Sequence, residues 1–401
     1  MGDTHTKQVF GTPCAMKKSS LDLHLIELRS VADPRCVRVA KCDKGLPLSE
    51  RMNIEIEERR PLDQGEIRIG MLAMTINPAD LLQLDGLYGT KPALPYTPGH
   101  EGIAVVVQVA DDVPDLQVGD LVLPLAPGGT WRDERVISSR HLTVVKGDVD
   151  ILQCAMLSAN PVTAWVLLNG VVALDAHACV LQNAANSAVG QCVRQLASAT
   201  DARLINVVRR ADAIDPQRLG DEHWIVDEGL TVDQFRQRVR QIAKDRRVCL
   251  ALDAVAGPST AKLGASVSEG AKVVVYGLMS QQACQLEPGD LVFRDVQVQG
   301  FWLASWFADP GNRALAKKVV PELMDLQKRG LLHMSVAATY DLGSVFSAVE
   351  HARQPHRVGK VLLTGAWWAR LSGAVQKQST SSPPRPREST CCPRPRALNS
   401  H

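Results

Sequence analysis

This 401-residue chain has four phenols, Tyr88, Tyr96, Tyr276 and Tyr340, and a positioned tyrosine hydroxyl can hand a proton to a carbanion. Tyr88 lies in Gly86-Leu87-Tyr88-Gly89, a flexible stretch shortly after Asn77-Pro78, where a hydroxyl can reach a cleft. Tyr276 ends a strand candidate beside Gly277, which suits packing against a cofactor. A second group of residues suits phosphate. Ala178 to Leu181 reads as a strand, Asn183-Ala184-Ala185-Asn186-Ser187-Ala188-Val189-Gly190 as a tight turn of small residues, and the segment beyond as a helix. That order points free backbone N–H groups at a pyrophosphate. Of the usual G-x-G-x-x-G only Gly190 is present; Asn186 tolerates a left-handed backbone, and Ala185, Ser187 and Ala188 let a phosphate approach. Alone, the segment also reads as an ordinary strand-to-helix turn. Nineteen residues past Gly190, Ile205 to Val208 gives way to Arg209-Arg210. An acid here would bind the ribose hydroxyls of NAD, whereas arginine pairs with a 2′-phosphate, so NADPH is expected, with a solvated loop as the alternative.

Pro98-Gly99-His100-Glu101-Gly102 resembles the Gly-His-Glu segment of zinc alcohol dehydrogenases. A catalytic zinc needs about three converging protein ligands. Thr75 to Asp80 and Ser158 to Pro161 stand where those enzymes supply cysteine, and neither segment contains one; the four-cysteine structural-zinc lobe is also missing. No metal is therefore expected, and His100 reads as a hydrogen-bonded structural residue. Carbonyl reduction without a metal lacks its Lewis acid. Reduction of an activated carbon–carbon double bond needs none: hydride adds to the β-carbon of an α,β-unsaturated thioester and a placed acid protonates the α-carbon.

The elements that must hold these groups fall into two kinds. From about Leu23 to Val145 come short β-rich runs, among them Ile54 to Ile56, Ile67 to Ile69 and Ile103 to Val107, broken by turns at Pro61, Pro114-Asp115 and Gly119-Asp120. They predict a small, mostly antiparallel barrel or sandwich. Strand candidates then alternate with helix-length segments: Ala178 to Leu181, Arg203 to Val208, His223 to Val226, Val248 to Asp253, Lys272 to Tyr276 and Val296 to Phe301, with helical spacing over Val189 to Ala199 and Val232 to Lys244. This α/β alternation predicts a doubly wound parallel sheet. A helix over Ala314 to Arg329 and a strand at Lys360 to Leu363, returning to the first domain, follow.

Composition narrows the partners. Lys plus Arg is 45 against 43 acids, a net charge of +2, which supplies no field for nucleic acid or an anionic membrane. A small-molecule partner is expected, and no apolar stretch reaches membrane-spanning length. The ten cysteines include no CxxC unit and read as reduced thiols. The first thirty residues lack an apolar core and carry Arg29 against Asp3, Asp22 and Glu27, which argues against a secretory or mitochondrial leader and for a cytoplasmic setting. Residues 1–22 read as an extension. Residues 366–401 hold six basic groups against Glu388, with prolines at 383, 384, 386, 393 and 395, and read as a disordered basic tail.

Ile76 to Asp80, Gly86 to Gly89, Gly128-Gly129-Thr130-Trp131-Arg132, Asn160 to Ala164, Gln182 to Gln191, Ile205 to Arg209 and Gly300-Phe301-Trp302-Leu303 together resemble the mitochondrial-type 2-enoyl thioester reductases. These are zinc-free members of the medium-chain dehydrogenase/reductase superfamily, and the resemblance runs from roughly Leu23 to Thr364. It implies a GroES-like β-rich catalytic domain from residues 23–162 and 310–365, a Rossmann NADP-binding domain at 163–309, and an active site in the cleft between. It implies Tyr88 as the proton donor. As cofactor contacts it implies Asn160, Asn186, Ser187, Ala188, Val189, Gly190, Arg209, Arg210, Tyr276, Gly277, Leu278, Met279, Phe301, Trp302, Leu303 and Lys360, with the Phe301–Trp302 wall orienting the nicotinamide. The implied activity is NADPH-dependent reduction of an enoyl thioester in fatty-acid metabolism, on coenzyme A or acyl carrier protein. Two departures stand out: His100, which those reductases usually lack, and Ala188, where they commonly carry glycine. The alternatives are an NADPH quinone reductase of the same superfamily and a non-catalytic NADPH-binding regulatory or interaction protein. Val296 to Phe301 as a sheet edge suggests a homodimer.

Overall fold

The computed structural model describes Lys17 and residues 31–125, 128–214, 223–355 and 357–370. Its strands in chain order are β1 (Arg35–Val39), β2 (Met52–Ile56), β3 (Glu66–Thr75), β4 (Gly102–Val109), β5 (Leu121–Pro124), β6 (Glu134–Ser138), β7 (Leu142–Val144), β8 (Ala178–Gln182), β9 (Arg203–Val208), β10 (His223–Val226), β11 (Arg247–Asp253), β12 (Lys272–Val275), β13 (Gln297–Gly300), β14 (Val336–Asp341) and β15 (Lys360–Thr364).

The first lobe is organised around β3. Its sequence, Glu-Ile-Arg-Ile-Gly-Met-Leu-Ala-Met-Thr, is buried from Ile67 onward because partners flank both edges. β4 runs antiparallel along one side, while β6 and then β15 occupy the other. A strand covered on both edges and both faces needs the near-continuous apolar run seen here. The strand order β14-β15-β3-β4-β5-β7 shows that the chain returns to its first sheet at the end, with β14 parallel to β15. Residues 366–370, assigned to the tail by composition, are helical. Trp367 is buried across Gly70, where a Cβ would lie 2.4 Å from the indole. The proline-rich remainder of the tail, 371–401, lies outside the described residues, as does the N-terminal extension apart from Lys17.

The second lobe holds six parallel strands in the order β10-β9-β8-β11-β12-β13. Numbered from its own first strand, that order is the doubly wound dinucleotide-binding one, with its reversal between β8 and β11. The helices match this sheet by periodicity. Val232–Ala243 buries Phe235, Val239 and Ala243, spaced four residues apart, and Thr231 and Gln234 cap its start reciprocally. Phe235 is about fully buried, worth roughly 1.5–3 kcal/mol. A hydrophobic core shared by Leu72, Val105, Val162, Val180, Leu252 and Val320 joins the two lobes. Among the described residues no helix is long and apolar enough to cross a membrane.

Candidate active site

Tyr88 comes from the loop after the helix Pro78–Leu84, and Trp302 from the segment leaving β13, so their contact spans the two lobes. The Trp302 indole N–H donates to the Tyr88 hydroxyl oxygen at 2.7 Å, and the rings meet edge to face at 5.5 Å. The Tyr88 hydroxyl donates to no group among the described residues. Burial pushes its pKa above the ordinary tyrosine value, Trp302 pulls it back, and the Asp80 charge adds to the rise. The phenol is therefore protonated at neutral pH. Trp302, expected as a nicotinamide wall, has its indole N–H directed at the phenol.

Beside this pair stands His100. Its ring meets Tyr88 edge to face at 5.4 Å, and its Nδ1 lies 2.5 Å from Asp80 Oδ1. The hydrogen-bonded character expected of His100 is thus present, with a specific partner. Asp80 is the N3 residue of an Asn-Pro-x-Asp capping box: its Oδ2 accepts from the Asn77 backbone N–H at 2.7 Å. That it also reaches His100, twenty residues on, was not readable.

Glu101, one residue further, belongs to a different cluster. It is wholly buried, and its carboxylate accepts from Thr75 Oγ1 and Asn77 Nδ2 at 2.9 Å and from the Ala159 N–H at 2.8 Å. Lys360 donates its ammonium proton to Asn77 Oδ1. Burial pushes the Glu101 carboxyl up and the Lys360 ammonium down, while their mutual attraction opposes both shifts. Lys360, expected among the cofactor contacts, is thus held inside this network. Among the described residues no three His, Cys, Asp or Glu side chains are grouped to hold a metal.

A dinucleotide cradle forms at the carboxyl ends of the parallel strands. The turn from β8 leads into the helix Ala188–Ala197, whose first turn is capped by Ser187 Oγ accepting from the Gly190 N–H at 3.1 Å. A Cβ at Gly190 would lie 2.6 Å from the Ala184 carbonyl oxygen, so only glycine allows the helix to seat this closely. The left-handed residue of the turn is Ala184, at φ 45°, and not Asn186. Ala188 is free of positive φ, so its methyl strains no backbone. Gln182 ties the turn to β9, donating to Asn206 Oδ1 at 2.7 Å and the Gly190 carbonyl at 3.2 Å. Across the strand-order reversal, Asn183 donates to Asp253 at 2.6 Å.

Several other expected contacts line the same region. Asn160 opens the helix Asn160–Asn169, and its amide nitrogen is buried without a hydrogen-bond partner. The Tyr276 hydroxyl is likewise buried and unpartnered; burial raises its pKa, and the Ser187 side chain, outside good hydrogen-bonding geometry, acts the other way. Two orphaned polar groups, Tyr276 beside the Ser187 cap and Asn160 at the start of its own helix, fit a bound dinucleotide that would satisfy them. Gly277 packs on Ala254, Leu278 and Met279 are exposed, and Phe301 and Leu303 are partly buried. At the end of β9, Arg210 is turned to Asp212, at 2.8 and 3.1 Å, whereas Arg209 is exposed and forms no ion pair among the described residues.

Comparison with known proteins gives the family and the fold. Residues 63–145 match the alcohol dehydrogenase GroES-like domain, and residues 188–323 the zinc-binding dehydrogenase family model. The mitochondrial enoyl-[acyl-carrier-protein] reductase of Homo sapiens is 36% identical over 323 residues, covering 79% of this chain and 84% of the human protein. Its counterpart from Dictyostelium discoideum is 33% identical over 288 residues, covering 70% and 81%. The chain belongs to the mitochondrial-type enoyl thioester reductases. Among solved structures, a putative NADPH:quinone reductase from Bacillus thuringiensis superposes on this reductase with a TM-score of 0.75 at 26% identity, covering 84% of this chain and all of that one. An enoyl thioester reductase from Candida tropicalis superposes at 0.73 and 21% identity, covering 83% and 100%, which speaks for the fold. The curated relatives are named as mitochondrial, from animals to Dictyostelium, and this overturns the cytoplasmic expectation. That expectation rested on residue counts in the first thirty positions, and targeting segments are under no packing constraint that would fix such counts.

Proposed function

We propose that this reductase saturates the 2,3 double bond of enoyl thioesters with NADPH, Tyr88 delivering the proton to the α-carbon. The observation that carries the reading is the Tyr88 hydroxyl where the two lobes meet, its oxygen accepting from Trp302 and its proton uncommitted. When bound, the nicotinamide supplies the hydride that adds to the β-carbon. The protein's own part is to hold a neutral phenol at the cleft and to keep the indole N–H on its oxygen, so that the negative charge left by proton transfer is met by a donor already in place. Asn160 and Tyr276 would satisfy their orphaned polar atoms on the cofactor, the turn 186–190 would receive its pyrophosphate, and Arg209, with Arg210, would read the 2′-phosphate. Gly277 to Met279 and Phe301 to Leu303 complete the proposed contacts, while Lys360, bonded to Asn77, serves the Glu101 network instead. The relatives' shared compartment supports a mitochondrial setting.

A homodimer is part of the same proposal. β13 is an exposed edge strand, and Val292 and Phe293 just before it are 71% and 83% exposed. An unpaired edge beside a bare apolar ring favours pairing with a second copy. The monomer's mass by light scattering would discard this.

The deciding experiment is a substrate panel followed by NADPH and NADH oxidation in parallel. Turnover of a crotonyl thioester with NADPH is expected to exceed that of quinones and simple enones. Turnover of quinones alone would select the quinone-reductase reading, and tight NADPH binding without turnover would select a regulatory protein.

A further inference from the structure

Under the function proposed above, Tyr88 ends each turnover as a phenolate, and its one hydrogen bond comes from an indole N–H, a donor that does not give up its proton. The residue placed to restore it is His100, whose ring lies edge-on to the phenol. The Asp80 carboxylate sits on Nδ1 and is itself immobile, fully buried and fastened to the Asn77 N–H. A carboxylate on one ring nitrogen keeps a proton there and leaves the other nitrogen to exchange. The His100 side chain retains 17% exposure, enough to be recharged from solvent.

We propose that His100, oriented by Asp80, returns the proton to Tyr88 after each turnover. In the first step the Tyr88 O–H bond breaks and a C–H bond forms at the α-carbon of the thioester enolate. In the second the Nε2–H bond of the His100 imidazolium breaks and the Tyr88 O–H bond re-forms through a bridging water. Neutral His100 then takes a proton from solvent, and no electrons move beyond those of the hydride. This rests on the donor role of Tyr88.

The charged groups facing the pair set its pH response. Burial works against charge on His100, but Asp80 and, more weakly, Glu101 outweigh it and hold the pKa above the ordinary histidine value. The Lys360 ammonium lies in the field of both carboxylates and donates to Asn77. Tyr88 is shifted upward by burial and by Asp80, with Trp302 opposing. As pH rises, His100 therefore keeps its exchangeable proton past the ordinary histidine range, and steady-state turnover falls once that proton is lost.

The test uses the full chain with NADPH and crotonyl-CoA, comparing single-turnover and steady-state rates from about pH 6 to 10. The variants are His100→Asn, Asp80→Asn, which still accepts from the Asn77 N–H, and Tyr88→Phe. The account expects the ratio of first-turnover to steady-state rate to rise about tenfold in His100→Asn, with a smaller rise in Asp80→Asn, and the falling limb between neutral and alkaline pH to vanish. Equal loss in both phases, or an unchanged pH profile in His100→Asn while Tyr88→Phe is impaired, would overturn the relay alone. Full turnover in Tyr88→Phe would overturn the donor role and the relay with it.

Discussion

Glu101 is wholly enclosed, and both its oxygens are satisfied by Thr75, Asn77 and Ala159. His100, its neighbour in the chain, ties one nitrogen to Asp80 and presents its ring to Tyr88 at the cleft. The two clusters share the segments 75–80 and 100–101, yet one is closed and the other open. A closed buried network specifies and holds a structure, because any missing partner leaves a desolvated charge. An open one keeps polar atoms for a substrate. The same distinction runs through the second lobe, where Asp253 accepts from Asn183, Thr260 and two backbone N–H groups while Asn160 and Tyr276 stay unpartnered.

The contrast breaks if the closed cluster proves catalytic or the open one structural. Lys360→Met leaves Glu101 without its cation and is expected to cost about 3–5 kcal/mol in urea unfolding, the largest stability effect among these substitutions. Arg209→Ala is expected to raise the KM for NADPH about tenfold or more while leaving that for NADH within about twofold, since a charge-assisted phosphate contact is worth roughly 1.5–3 kcal/mol. Trp302→Phe removes the donor that meets the charge left on the phenol oxygen and should lower kcat about tenfold or more, with unfolding nearly unchanged. Ala188→Gly should move NADPH affinity least, because Ala188 occupies ordinary helical backbone; a clear gain in affinity would show that its methyl crowds the phosphate.

Much of the fold was legible because its strands are locally consistent. Arg203 to Val208 and His223 to Val226 agree with β9 and β10 to the residue, since apolar runs between helix-period segments leave one topology open. The helix Asn160–Asn169 was harder, being apolar or buried at nearly every turn and so without a polar face to mark its period. β14 is half-exposed along its length and depends on β15 for its identity as a strand. Within the site, residue types were readable where a motif restricts them, as at Tyr88 and Gly190. The Asp80–His100 pair and the Trp302–Tyr88 bond join segments 20 and 214 residues apart, so only the folded chain reveals them. In the phosphate turn, Asn186 was the residue best suited to left-handed backbone, but the bend falls at Ala184, whose carbonyl lies against Gly190.

Tyr88 as proton donor is tested by the steady-state kcat of Tyr88→Phe on a crotonyl thioester at saturating NADPH. The account predicts a fall of about 10²- to 10⁴-fold, the usual worth of a placed general acid, with cofactor binding preserved. A kcat within about twofold of wild type would contradict it.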